Sequence, residues 1–129
     1  MLKKSGKIDR VIIFTNNQGP KSWSLLIKDY FNQKINYELI DKVVGAYKVG
    51  KQQIEKHRTS HEKKYYDILN AARISKNTKI AFLDDQRHYR MLHKNVFYIL
   101  INGYTYFLSP EQVLRRLGNT YFAKKISHE

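Results

Sequence analysis

Two stretches of the sequence decide the fold: Arg10-Val11-Ile12-Ile13-Phe14-Thr15-Asn16-Asn17 and Lys79-Ile80-Ala81-Phe82-Leu83-Asp84-Asp85-Gln86. Each begins with a short apolar run and ends in a polar cluster. An apolar run of this length predicts a buried strand of a parallel sheet. Open α/β sheets bind their ligands beyond the carboxyl ends of such strands. The two polar clusters are therefore the first candidates for a functional site.

The rest of the chain predicts helices that alternate with strands. Helices are expected from about Ser22 to Gln33, from about Lys63 to Arg73, and from near Pro110. Further strands are expected at 43–49 and 96–101, and residues 50–62 have the polar composition of a loop. This alternation predicts an α/β fold, a parallel sheet flanked by helices. The residues expected to face the core are Trp23, Leu26, Ile27, Tyr30 and Phe31 in the first helix, Tyr65, Ile68, Leu69 and Ala72 in the second, and Val113, Leu114 and Leu117 in the last.

The composition is that of an ordinary globular domain. The chain has 129 residues, of which 42% are hydrophobic and 27% charged, enough for one domain with a core. No apolar run is long enough to cross a bilayer, and the basic N-terminus lacks the apolar segment of a signal peptide. The absence of Cys excludes disulfides and thiolate metal sites. These features predict a single domain over residues 1–129, cytoplasmic and without a membrane partner.

The net charge of +13 and the pI of about 9.9 would suit a protein that binds nucleic acid. However, 17 of the 24 basic residues are Lys, and they are dispersed rather than collected in blocks. An AT-rich genome produces such a composition without selection for binding. Nucleic-acid binding is therefore the alternative function rather than the first.

The polar clusters contain residue types that handle phosphate and metal ions. Thr15 lies where the chain leaves a strand and turns toward a helix, and the free N–H groups at the start of a helix favour anions. The alternative is that Thr15 and Asn16 only cap the turn. The adjacent carboxylates of Asp84 and Asp85 repel one another, which a cation would relieve. Mg²⁺ prefers oxygen ligands such as these carboxylates, with water and phosphate completing its coordination. The alternative is that Asp84 and Asp85 belong to a solvated turn after the strand.

In this order, the segments resemble the later motifs of the haloacid dehalogenase (HAD) superfamily, whose members are mostly Mg²⁺-dependent phosphatases that work through an aspartyl-phosphate. Residues 11–17 resemble the second motif, His61-Glu62-Lys63-Lys64-Tyr65-Tyr66-Asp67 the third, and residues 79–85 the fourth. The stretch 80–104 is similar to HAD-like proteins of large DNA viruses and protists, distant relatives of the small C-terminal-domain phosphatases. The resemblance covers about residues 8–118.

The resemblance implies a role for each matching residue and a Rossmann-like HAD fold. Thr15 and Asn16 would bind the phosphoryl group of a phosphorylated small molecule or protein. Lys64, or in its place Lys63, would stabilise the phosphoryl charge, with Lys64 preferred. The Asp84-Asp85 pair would hold Mg²⁺.

The chain departs from the family at the first motif, DxDx[TV], which supplies the nucleophile and the general acid/base. No such motif occurs: Asp9 precedes its strand, and Gln86 stands where Asp84 would need an acidic partner. We therefore expect an N-terminally truncated domain that lacks the first, central strand and is inactive alone. A truncated gene model, a split or decayed gene, and a domain kept for binding nucleic acid or protein are the competing explanations. Exposed strand edges would favour self-association or pairing with the missing segment.

Overall fold

The computed structural model describes residues 1–118, with Lys21 described by its backbone alone. It contains short strands, three α-helices and a single 3₁₀ turn. In chain order the elements are β1 (Ile12–Phe14), α1 (Lys21–Lys34), β2 (Lys42–Val44), β3 (Lys48–Val49), β4 (Gln52–Gln53), α2 (Tyr65–Ala72), β5 (Ile80–Asp84), the 3₁₀ turn (Tyr89–Met91), β6 (Val96–Leu100) and α3 (Pro110–Gly118).

The strands form three two-stranded sheets, which confirms the mixed α/β class. β1 pairs in parallel with β2, with Ile13 opposite Val43, and β5 pairs in parallel with β6, with Phe82 opposite Tyr98. The predicted strand at 43–49 is divided between β2 and β3, and β3 pairs in antiparallel fashion with β4, which lies in the 50–62 segment expected to be a loop. The predicted strands at 10–14, 79–83 and 96–101 are all present with shifted ends. They do not join into one sheet within residues 1–118, because β1 and β5 are not hydrogen-bonded to each other.

The core lies where both parallel pairs pack against α2. Val44 from β2 and Phe82 from β5 meet Ile68, Ala71 and Ala72 of this helix. Met91 completes the cluster. The second helix buries Tyr65, Ile68, Leu69 and Ala72, as the apolar spacing predicted. Because α2 contacts both strand pairs, its apolar face holds the two halves of the fold together.

The prediction for α1 was wrong, because its apolar stripe faces outward. Trp23 is 61% and Leu26 63% exposed, and the other three residues expected in the core are exposed too. The side of α1 that contacts the rest of the protein is polar: Asn32 exchanges hydrogen bonds with the backbone of Ile40, and Lys28 donates to the Asp41 carbonyl. These bonds satisfy backbone groups of the loop before β2. The spacing of the apolar residues located the stripe on α1 correctly, but it could not show whether the stripe packs against another part of the protein.

The last helix was also expected to place apolar residues in the core, and this too was wrong. Val113, Leu114 and Leu117 are exposed, and α3 buries none of its residues. The helix begins at Pro110 as predicted, because proline suits the first helical turn. Ser109 stabilises the same turn: its hydroxyl accepts a hydrogen bond from the Gln112 N–H. The start of α3 is thus encoded locally, while its packing is not.

We expect the outward stripe of α1 to promote self-association, because contiguous exposed apolar surface is unusual for a monomer. In size-exclusion chromatography with light scattering, the chain at micromolar concentration and low salt should give species larger than a monomer. Leu26→Gln should shift the population toward monomer. Phe107→Gln is the matched control, since Phe107 is also exposed but lies outside α1. A monodisperse monomer before any substitution would contradict this expectation.

Candidate functional site

The centre of the candidate site is an ion pair between Lys63, just before α2, and Asp84, the last residue of β5. Lys63 Nζ lies 2.6 Å from Asp84 Oδ2, and the two side chains are only 12% and 8% exposed. Strand alternation explains the placement of Asp84, because Phe82 and Asp84 share the inward face of β5. A nearly buried ion pair at the carboxyl end of a parallel strand lies where α/β sheets bind ligands.

The turn after β5 supplies further partners to Asp84. The Gln86 N–H donates a hydrogen bond of 2.9 Å to Asp84 Oδ1, and His88 Nε2 lies 3.4 Å from the same oxygen. Tyr98 of β6 fixes this turn, because its hydroxyl accepts from the His88 N–H and donates to the Gln86 carbonyl. In the sequence, His88 and His93 lie five residues apart in the loop after the 79–83 strand, a spacing that did not predict His88 as a site residue.

The surroundings of Asp84 set its charge state. Burial by itself raises the pKa of this carboxyl, but the hydrogen bonds from Lys63 and from the Gln86 N–H, with the positive charges of Lys63 and His88, lower the pKa below its ordinary value. Asp84 is therefore an anion at neutral pH. The ionised Asp84 carboxylate can bind a cation, and in this structure Lys63 balances its negative charge.

The two candidate lysines lie in different places. The Lys63 ammonium lies near two aromatic rings, 5.8 Å from the Phe14 centroid and 5.9 Å from the Phe82 centroid. Lys64 instead donates a 2.9 Å hydrogen bond to Thr59 Oγ1. Lys63, and not the preferred Lys64, is thus the lysine that the structure brings to the ends of β1 and β5.

The loop after β1 presents the predicted phosphate ligands. Thr15 Oγ1 accepts a hydrogen bond of 3.0 Å from the Asn17 N–H, which fixes the hydroxyl at the turn. A hydroxyl that accepts one bond still carries a proton that it can donate. Asn16 Oδ1 accepts a 2.7 Å bond from Arg58, so this amide oxygen is held in place. Because Phe14 lies against Lys63, the residue that follows it is brought to the same end of the fold as Asp84.

Arg58 is the residue that sequence reasoning missed. It is 1% exposed, and its guanidinium donates to the carbonyls of Thr15, Gly45 and His61 as well as to the Asn16 side chain. It also lies 4.6 Å from the Phe14 ring centroid. No sequence signal marks it, because it is one cation in a polar stretch that was expected to be a loop. It fixes the candidate phosphate loop against the ends of β1 and β2.

The charge of Arg58 is balanced from the start of α2. Burial lowers the pKa of its guanidinium, and the negative charges of Asp67 and Glu55 oppose this shift. Asp67 is itself buried and accepts hydrogen bonds from the Thr59 N–H and hydroxyl. Since Thr59 also accepts from Lys64, the preferred lysine belongs to this supporting network.

The two predicted metal ligands have different environments. Asp84 is buried beside Lys63, whereas Asp85 is exposed and lies near Gly103. Within residues 1–118, no three His, Asp or Glu side chains are arranged to hold a metal ion by themselves. The donor chemistry of two carboxylates, one ionised by its surroundings, suits Mg²⁺ when water and phosphate complete the coordination.

Comparisons with known proteins identify no relative of this chain. No protein-family model matches it, and neither the curated proteins nor the solved structures contain a match. Among the described helices, none combines the length and apolar character needed to cross a membrane.

Proposed function

We propose that the chain is a HAD-like domain that binds the phosphoryl group of a phosphorylated substrate at the adjoining ends of β1 and β5. The observation that carries the proposal is the Lys63–Asp84 ion pair, whose ammonium lies 5.8 Å from the Phe14 ring centroid and 5.9 Å from the Phe82 ring centroid. The pair joins Lys63, from the segment that resembles the family's third motif, to Asp84, from the segment that resembles the fourth. Thr15, in the segment that resembles the second motif, follows Phe14 directly.

Each residue has a distinct proposed role. An ammonium group has three N–H donors, so Lys63 can bind a phosphoryl oxygen while it remains paired with Asp84. The Thr15 hydroxyl and the Asn16 side chain would orient the same group. Asp84 and Asp85 would hold Mg²⁺, which when bound would neutralise phosphoryl charge. Lys64 would act through Thr59 rather than on the substrate.

The same residues do not supply a nucleophile. Formation of an aspartyl-phosphate needs a carboxylate in line with the phosphorus, and binding does not replace it. Asp84 is the proposed Mg²⁺ ligand, and Gln86 stands two residues further on, where the general acid/base of the family's first motif would be required. We therefore propose a domain that binds phosphate and whose reacting carboxylate comes from elsewhere.

This proposal predicts phosphate binding without turnover. The purified chain should hydrolyse an aryl phosphate with Mg²⁺ no faster than the buffer does. Orthophosphate should nevertheless bind, as followed by ³¹P NMR, and Lys63→Met should weaken the binding by about tenfold or more because a charge-assisted hydrogen bond is lost. Thr15→Val removes one hydroxyl at nearly constant volume and should weaken binding to a smaller extent.

Lys64→Met is the matched control and should leave phosphate binding nearly unchanged. If Lys64→Met weakens binding more than Lys63→Met does, the assignment of the two lysines is wrong. Hydrolysis by the purified chain that disappears in Asp84→Asn with Asp85→Asn would also contradict the proposal. It would mean that this chain carries its own nucleophile or uses a metal-bound water.

A further inference from the structure

A cavity lies at the carboxyl end of the β5–β6 pair, next to the candidate site. Its volume is about 180 Å³, and it is lined by Arg87, His88, Tyr89, Leu92, Tyr98 and Leu100. Tyr89 and Leu92 are exposed, so a ligand can enter the cavity from solvent. The roles proposed for Lys63, Thr15 and Asn16 do not use this space.

The register of β5 with β6 places the cavity on the same face of the strand pair as Asp84. Phe82 lies opposite Tyr98, and Asp84 lies opposite Leu100. The ring centroids of Phe82 and Tyr98 are 5.1 Å apart, so these two side chains share a face. Because residues two apart on a strand point the same way, Asp84 and Leu100 share that face too. The cavity and the ion pair are therefore neighbours at the carboxyl edge, where α/β sheets bind ligands.

His88 connects the cavity to the ion pair. Its Nε2 lies 3.4 Å from Asp84 Oδ1, while Lys63 Nζ lies 2.6 Å from Asp84 Oδ2. A single carboxylate group thus lies between the wall of the cavity and the ammonium proposed to bind the phosphoryl group. A group that fills the cavity would be attached to that phosphoryl directly, without a long spacer. A nucleotide meets this condition poorly, because its ribose separates the base from the phosphate.

The size and lining of the cavity favour one aromatic ring. An apolar cavity of about 150 Å³ is enough to hold benzene, so the space matches a single ring. Tyr89, Tyr98 and His88 offer aromatic surfaces, and Arg87 supplies a guanidinium, which is attracted to the face of an aromatic ring. The Tyr98 hydroxyl is bonded to the backbone of both Gln86 and His88. This wall is therefore held in place before a ligand arrives, which lowers the cost of binding.

We propose that the cavity binds an aromatic ring joined to the phosphoryl group through its ester oxygen, so that the ligand of this chain is an aryl phosphate such as a phosphotyrosine side chain. This inference rests on the proposed phosphoryl site at Lys63 and names the substrate class of that site. The phosphoryl group would lie at Lys63, with the ring against Tyr98 and Leu92. An alkyl phosphate such as phosphoserine would leave the cavity unfilled.

Two phosphorylated amino acids of equal charge test the proposal. The probes are N-acetyl-phosphotyrosine amide and N-acetyl-phosphoserine amide, titrated with the full chain and followed by ³¹P NMR beside orthophosphate. The phosphotyrosine derivative should bind about tenfold more tightly than the phosphoserine derivative, because it buries the surface of a ring. Phenyl phosphate should show the same preference, since it carries the ring and the phosphoryl group alone. Tighter binding of a phosphotyrosine peptide than of phenyl phosphate would identify a protein as the source of the ring.

Leu92→Gln places a polar group in the wall of the cavity and should abolish the preference for phosphotyrosine without changing the affinity for orthophosphate. Leu2→Gln is the matched control, since Leu2 is also exposed but lies in the N-terminal segment, and it should keep the preference.

The outcomes separate this inference from the proposed function. Equal binding of the two derivatives, with orthophosphate bound, would overturn the aryl assignment and leave the phosphoryl site standing. An equal loss of orthophosphate and phosphotyrosine binding in Leu92→Gln would also overturn it, because the substitution would then act on the phosphoryl site. Failure of orthophosphate and of every ester to bind a folded chain would overturn both.

Discussion

Replacement of Arg58 by Ala is expected to lower the free energy of unfolding by about 3–5 kcal/mol, the range for breaking a buried charged network. The substitution leaves the carbonyls of Thr15, Gly45 and His61 without their donor. It also leaves Asp67 buried without the opposing charge. Thermal or urea unfolding followed by circular dichroism measures the loss.

Arg87→Ala is the matched control, because Arg87 is exposed and its replacement should change stability by less than about 0.5 kcal/mol. Arg58→Lys keeps the charge but offers fewer donors in a different geometry, so it should fall between the wild type and Arg58→Ala. If Arg58→Ala proves too unstable to purify, Arg58→Lys still gives a measurable loss. Equal stability of the wild type, Arg58→Lys and Arg58→Ala would show that Arg58 does not organise the loop after β1.

Lys63→Met should destabilise the chain by about 3 kcal/mol at neutral pH, because it leaves Asp84 as a buried anion without its main partner. Lys64→Met should destabilise the chain much less, since the Lys64 side chain donates to the Thr59 hydroxyl near the surface. The two substitutions are chemically identical and affect adjacent residues. Their difference in unfolding free energy therefore measures the Lys63–Asp84 interaction rather than the loss of a charge.

The pH dependence of the unfolding free energy provides a second test of the Lys63–Asp84 interaction. The folded pKa of Asp84 lies below its unfolded value of about 3.9, so its contribution to stability is present above that pH and is lost as the pH falls further. In Lys63→Met the hydrogen bond and positive charge that lower the pKa of Asp84 are lost, so burial raises this pKa. The gap between wild type and variant should therefore shrink from pH 7 to pH 3. A gap that is constant over this range would exclude Asp84 as the partner.

The sequence was sufficient to locate most elements of the fold. β5 and β6 were predicted because their apolar runs are short and bounded by polar residues, and such signals are local. The inward face of α2 was predicted for a similar reason, since Ile68 and Ala72 recur at helical spacing. The strand end at Asp84 was found because adjacent carboxylates after an apolar run are unusual. In each case the decisive information lies within about ten residues.

Interactions between distant segments were beyond the reach of the sequence. Arg58 is buried because it contacts residues as far away as Thr15 and Gly45, and nothing in its neighbours indicates this. Lys63 and Lys64 are equivalent by composition, yet adjacent residues point in different directions, and only the position of β5 selects Lys63. The stripe of α1 was assigned to the core because an apolar face usually has a partner, and within the described residues it has none.

The polar attachment of α1 has a thermodynamic consequence. The helix is joined to the loop before β2 through Lys28 and Asn32 rather than through its apolar stripe. Since the stripe is already exposed, release of α1 would expose mainly polar surface, which adds little to the heat capacity of unfolding or lowers it. Local opening of α1 would thus precede the melting of the α2 core. Calorimetry would register it as a broad, shallow step below the main transition.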